Sequence, residues 1–239
     1  MNEFECAARG SAKRAVIVLF VVAECAVYLA LQFFFTPLLR YATVLIPFAL
    51  SLFSLRRGGE ALIPLALMTT MAADYFFVLC VPPRKTVAVL LFIIVQTLYC
   101  LRIHRELPLR AKGFLLAARG ALGAGILLFS IRVGMRSFLL IAAALYFPNL
   151  LANAIEGVLV DRREPIVFGL ILFLLCDLCV GLSYLFETGL FVPNESLEMG
   201  VLCKRIAWAF YPPSQLLISL TAFVGSRNEI SDAGSFCAE

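Results

Sequence analysis

The stretch FGLILFLLCDLCVGL, residues 168–182, decides the fold. It is apolar from end to end except for Asp177, and a run of this kind reads as a helix crossing a membrane. A carboxylate at the centre of such a helix costs about 2.5–3.5 kcal/mol on insertion scales, so Asp177 is expected to face a bundle interior and to have a partner or a task there. A second stretch repeats the pattern: MTTMAADYFFVL, residues 68–79, carries Asp74 in the same kind of surroundings.

Working outward, the whole chain fits this reading. It has 239 residues, is 62% hydrophobic with mean hydropathy +0.95, and is only 15% charged, against about 25% for soluble domains. The expected fold class is all-α, a polytopic transmembrane bundle of about eight helices, forming a single integral membrane domain over 1–239. Hydropathy and length place the spans at roughly 15–35, 41–55, 61–81, 86–102, 113–130, 137–159, 165–186 and 202–224. The second is short and contains Pro47, which predicts a thinner, kinked or tilted element.

The connections hold the clustered charges and turn residues: Arg56-Arg57-Gly58-Gly59, Pro82-Pro83-Arg84-Lys85, Arg102 to Lys112, and Asp161-Arg162-Arg163-Glu164. With the N-terminus inside, Arg9, Lys13, Arg14, Arg56, Arg57, Arg102, Arg105, Arg110, Lys112, Arg162, Arg163 and Arg227 fall on the inner side. Arg40, Arg84, Lys85, Arg132, Arg136, Lys204 and Arg205 fall outside. That bias predicts a plasma-membrane protein with both termini in the cytoplasm. The net charge of +4 is spread over these loops, which implies no nucleic-acid partner. The N-terminal MNEFECAARGSAKR leads into a full-length span without a small-residue cleavage site, so the first span is expected to stay.

Cys25, Cys80, Cys100, Cys176, Cys179 and Cys203 fall in or beside spans and read as small hydrophobes. Cys176 and Cys179 have C-x-x-C spacing without the βαβ context of a redox site, and a single His argues against zinc. No metal and no cofactor is expected.

Topology brings the polar residues to one level. The third and seventh spans run in the same direction, and at 1.5 Å per residue Asp74 and Asp177 both lie roughly 18–20 Å from the cytoplasmic ends. Gln96 and Tyr99 share a face of the fourth span. Tyr211 and Gln215 are an i, i+4 pair on the eighth, with Pro212 and Pro213 expected to break the helix between them. Asn149 and Asn153 form another such pair beside Pro148. Amides at this depth also serve as helix contacts at about 0.6 kcal/mol apiece, but a carboxylate is a costly way to obtain one. Glu24 is mid-span in the first helix and could join the site. Arg119 and Glu156 are expected to snorkel towards the inner ends, with Arg119 a counter-ion for either Glu24 or Glu156. Gly120, Gly123 and Gly125 beside it are expected to permit close helix packing.

These residues resemble the YhhN-like membrane proteins, the family that includes the lysoplasmalogenases. LALMTTMAADYFFVL (65–79) is similar to the family's apolar run ending in Gly-Asp, and KTVAVLLFIIVQTLYCL (85–101) to its span with His-x-x-Tyr. GLILFLLCDLCVGL (169–182) is similar to its Ser-Asp span, WAFYPPSQLLISL (208–220) to its closing Tyr-rich segment, and FTPLLRYATVLIPFAL (35–50) to its Lys-Pro-Leu stretch. This chain has Gln96 in place of the family His, Ala73 and Cys176 before the two aspartates, and Thr36 in place of Lys. Glutamine cannot shuttle a proton.

The resemblance implies a bundle of about eight helices that hydrolyses the vinyl-ether bond of a lysolipid, with Asp74 and Asp177 as the catalytic pair. Such a bond is cleaved by protonation of its β-carbon, which calls for one protonated and one ionised carboxyl. Gln96, Tyr99, Asn149, Tyr211 and Gln215 are the candidate substrate-binding residues, and Arg84, Lys85 or Arg205 the candidate phosphate holders. A transporter or lipid-binding bundle with the aspartates as proton or cation sites is the alternative. A purely structural role for the paired polar residues is the third reading.

Overall fold

The computed structural model describes residues 3–56, 58–105, 107–132, 137–160, 164–187 and 196–223, with side chains described from residue 14 in the first helix and from residue 198 in the last. The charge assignments made for Arg57, Arg136, Arg162, Arg163 and Arg227 lie outside the described residues, as do those for the side chains of Arg9 and Lys13.

Among the described residues there are eight helices and no strand: α1 (Glu3–Phe33), α2 (Pro37–Leu55), α3 (Leu62–Asp74), α4 (Lys85–Ile103), α5 (Leu109–Arg132), α6 (Phe138–Val160), α7 (Pro165–Glu187) and α8 (Ser196–Thr221). A five-residue π-helical turn, Tyr75–Leu79, continues α3 directly after Asp74. With that turn included, seven of the eight are long and apolar enough to cross a membrane. The exception is α8, whose middle carries Lys204, Arg205 and the polar run around Pro212 and Pro213.

Local chemistry explains two departures from the expected spans. α2 begins four residues earlier than hydropathy suggests, because Thr36 caps it: its Oγ1 accepts from Leu39 N at 3.3 Å, and Pro37 occupies the first helical position. Pro47 is buried inside a 19-residue helix that is neither short nor interrupted. The expected break at Pro212 and Pro213 is also absent, since α8 runs unbroken through both. Pro213 has no N–H for the carbonyl of Ala209 one turn back; the hydroxyl of Tyr28 on α1 donates to that carbonyl instead, at 3.2 Å. A neighbouring helix thus meets the bond that the proline forfeits.

Packing fixes the order. α7 and α8 are the most extensively packed pair, α4 lies between α3 and α6, and α2 touches α1, α3 and α8, while α5 packs on α6 alone among the described helices. Gly169 lets α7 and α8 close: a Cβ there would meet Ile218 Cγ1 at 2.7 Å and Ser214 O at 3.1 Å. Gly120, Gly123 and Gly125 on α5 behave otherwise than expected, for a Cβ at any of them meets nothing within 4 Å.

One end of the bundle is tied by charge. Glu60, just before α3, pairs with Arg102 near the end of α4 and with Arg105 Nη1 at 2.9 Å; Arg102 Nη2 also lies 3.6 Å from Glu164, just before α7. The starts of α3 and α7 therefore share one end, and the two helices run in the same direction. Asp74 and Asp177 each stand about 20 Å along from it.

Candidate functional site

A cavity of about 300 Å³ opens where α3, α4, α6, α7 and α8 converge, and both Asp74 and Asp177 line it. Its wall is otherwise largely apolar and aromatic, with Phe77, Phe92, Trp208 and two tyrosines among its residues. Matched depth on parallel helices brings the two carboxyls to one chamber.

Each carboxyl is held by a tyrosine from a different helix. Tyr211 on α8 donates its hydroxyl to Asp74 Oδ2 at 2.5 Å, and Tyr146 on α6 donates to Asp177 Oδ2. Asp74, Tyr211 and Tyr146 are buried, and Asp177 is half-buried. The tyrosine rings are themselves fixed by an aromatic chain. Tyr146 packs on Phe92 at 5.9 Å, Phe92 on Phe173 at 5.8 Å, Phe173 on Tyr211 at 5.6 Å, and Tyr211 on Trp208 at 5.3 Å. Interlocked rings leave the hydroxyls little freedom to leave the carboxyls.

Asp74 is also the last α-helical residue before the π turn. This turn closes the span, with Cys80 extended after it, and its wider winding re-aims the side chains that follow Asp74. Phe77, which lies in this turn, is directed into the cavity wall.

Of the candidate substrate-binding residues, Tyr211 lines the cavity, as does Cys176 beside Asp177, and the others do not. Gln96 is fully buried behind it, where its backbone carbonyl and Oε1 both accept from Asn153 Nδ2 at 2.8 Å. The Gln96 side chain also lies within electrostatic reach of Tyr146, so it stands behind the Tyr146–Asp177 pair and not on the chamber surface. Tyr99 is fully buried with an unpartnered hydroxyl, Thr70 and Asp74 being polar groups in its reach. Gln215 is fully buried and donates to Ser214 Oγ at 3.1 Å. Glu24 is buried with neither carboxylate oxygen hydrogen-bonded, and it does not line the cavity.

Asn149 belongs to a second polar cluster. Arg119 on α5 donates to Asn149 Oδ1 at 3.3 Å, Asn153 Oδ1 at 2.9 Å and Glu156 Oε2 at 2.6 Å. His104 Nε2 lies 2.6 Å from that same Glu156 oxygen, and Cys100 Sγ lies 3.7 Å from His104 Nδ1. The expected snorkelling of Arg119 and Glu156 does not occur, because each is the other's buried partner. Of the two counter-ions considered for Arg119, the structure pairs it with Glu156. Cys100, His104 and Glu156 bring ligand atoms within 4.8 Å of one another, a spacing a metal ion could use. A cation there would face the Arg119 guanidinium on the shared oxygen.

Sequence reasoning missed Tyr146 and His104. Tyr146 sits one turn before Asn149, so it lay on an already suspected face, but a tyrosine in an apolar span carries no local mark of function. The six cysteines singled out above are unpaired, Cys176 and Cys179 included. No described protein family, curated protein or solved structure matches the chain.

Proposed function

We propose that the protein is an intramembrane hydrolase of the vinyl-ether bond of a lysolipid, with Asp74 and Asp177 as its acid–base pair. The observation that supports this most is the convergence of both carboxyls on one apolar chamber, each with one oxygen occupied by a tyrosine and the other left for chemistry. The choice of a vinyl ether as the bond cleaved rests on the order of the YhhN-like motifs along the chain.

The chemistry follows from that arrangement. One carboxyl donates its proton to the β-carbon of the vinyl ether, and the electrons of the double bond leave an oxocarbenium ion. The ionised partner stabilises this cation and takes a proton from an incoming water as its oxygen bonds to the α-carbon. The resulting hemiacetal collapses to a fatty aldehyde and a free glycerol hydroxyl, and the proton count is restored. Two carboxyls lining one low-dielectric chamber are suited to this, because one can carry the proton while the other serves as the anion. Tyr146 and Tyr211 fix the oxygens that do not react.

In this reading the chain lies in the plasma membrane. If α8 crosses together with the seven apolar helices, both termini share one side, and the basic residues at the Glu60–Arg102 end make that side cytoplasmic.

The test is aldehyde release from lysoplasmalogen by purified protein in proteoliposomes. Wild type is expected to release aldehyde, and Asp74→Asn and Asp177→Asn each to reduce it to the empty-liposome level. Wild-type protein at that level would remove the proposal. The buried Arg119–Glu156–His104 group favours a second reading, a proton- or cation-coupled carrier. That reading predicts flux driven by a pH gradient with no chemical conversion.

A further inference from the structure

Arg40 stands in the first turn of α2, its N–H bonded to Thr36 O at 3.1 Å. Its guanidinium lies over two rings, 5.0 Å from the centroid of Phe35 and 5.5 Å from that of Trp208. The Nε atom is buried without a hydrogen-bond partner, and no carboxylate among the described residues forms an ion pair with Arg40. The rings stabilise this half-buried cation, but they supply no anion and leave the Nε donor unmet.

This unmet cation adjoins the chamber. Trp208 lines the cavity and packs edge-on against Tyr211 at 5.3 Å, and Tyr211 holds Asp74. One indole therefore separates the guanidinium from the tyrosine that positions a reacting group. Among the basic residues on the side opposite the Glu60–Arg102 end, Lys204 is paired with Glu187, Lys85 lies 5.6 Å from the Tyr184 ring, a residue absent from the cavity wall, and Arg84 and Arg205, the other candidate phosphate holders, are exposed and line no part of the cavity.

We infer that Arg40 binds the phosphate of a single-chain phospholipid whose ether-linked end lies in the chamber, and so sets the headgroup requirement of the site. The inference deepens the hydrolase reading and rests on it for the identity of the reaction, though not for binding. A planar guanidinium held on ring faces presents two parallel N–H groups at its edge, which match two non-bridging phosphate oxygens. The hydrocarbon goes to the apolar wall and the phosphate to Arg40, with the glycerol backbone passing Trp208 between them. Phosphate and chain are then recognised by different helices, α2 for the one and α3, α4, α6, α7 and α8 for the other.

Trp208 is the single tryptophan of the chain, so its fluorescence reports on this site alone. In detergent, the protein is titrated with a saturated 1-alkyl lysophospholipid, which has no vinyl ether to cleave, and in parallel with the 1-alkylglycerol that lacks phosphate. The expected result is tighter binding of the phospholipid by wild type. Arg40→Gln should weaken it by about tenfold or more, to the level of the alkylglycerol, and Arg40→Lys should retain part of the difference. The alkylglycerol midpoint should be the same in all three proteins, which also shows that each variant is folded. Equal phospholipid binding by wild type and Arg40→Gln would overturn the inference. So would wild type that does not discriminate between the two lipids, and competition by inorganic phosphate at equal concentration would assign Arg40 to a free anion instead. Aldehyde release plays no part in these outcomes, so failure of the hydrolase reading is scored separately.

Discussion

The Tyr211 hydroxyl donates to Asp74 Oδ2 across 2.5 Å and joins α8 to α3 in the cavity wall. Asp74 is almost fully buried, so water cannot readily replace that donor. A hydrogen bond to a charged partner is worth about 1.5–3 kcal/mol. Tyr211→Phe is therefore expected to leave a folded protein that releases aldehyde about 10–100-fold more slowly. Tyr146→Phe should act in the same direction through Asp177, with a smaller loss of stability because that carboxyl is only half-buried. Rates of both variants, measured beside thermal unfolding in detergent, check the point. Unchanged rates in two folded variants would show that the tyrosines do not position the carboxyls.

A different outcome is expected at Arg119 and Glu156, which are paired at 2.6 Å away from the chamber. Removing one member of a buried ion pair strands the other, at about 3–5 kcal/mol, whereas replacing both with apolar residues is often nearly neutral. Arg119→Leu and Glu156→Leu should each lower the unfolding temperature strongly, and the double variant should recover most of the loss. His104 will temper the effect of Arg119→Leu, since it lies on the same Glu156 oxygen at 2.6 Å. A double-mutant cycle by thermal unfolding measures the coupling, and additive losses would refute it.

The Tyr28 bond to Ala209 O makes a narrower claim. If the hydroxyl matters because Pro213 leaves that carbonyl free, Tyr28→Phe should cost about 0.5–1.5 kcal/mol in the native background. It should cost less with Pro213→Ala, whose new N–H can reach the carbonyl. Equal losses in both backgrounds, read from denaturant unfolding, would detach the tyrosine from the proline.

These cases show what one sequence can and cannot carry. Hydropathy located the helices, and counting residues along parallel spans put Asp74 and Asp177 at one depth, because both signals are local and periodic. The unbroken course of α8 through its prolines is not legible for the opposite reason, since the hydroxyl that takes up the carbonyl freed by Pro213 comes from α1, far away in sequence. Gln96 and Asn149, expected at the substrate, do not line the chamber. Rotation about a helix axis is set by neighbours, and here Asn153 and Arg119 turn both residues away from the chamber. The same dependence hid Tyr146, which is recognisable only by the carboxyl it meets.

Glycine packing separates sequence expectation from structure most cleanly. Gly169 sits where α7 meets α8, and an added methyl would lie 2.7 Å from Ile218 Cγ1, 3.1 Å from Ser214 O and 3.3 Å from Ile218 N. A side-chain carbon can turn aside, but backbone atoms yield only if the helices part. Gly169→Ala is therefore expected to cost about 1–3 kcal/mol, the range for overpacking a filled interior. Gly123→Ala on α5, where the methyl meets nothing within 4 Å, should be neutral or stabilising by up to about 1 kcal/mol through helix propensity alone. Because α8 carries Tyr211 and Trp208, Gly169→Ala should also slow aldehyde release, whereas Gly123→Ala should not. Unfolding and rate measurements on the two variants test this, and equal stability would mean that α7 and α8 are not closely packed at Gly169.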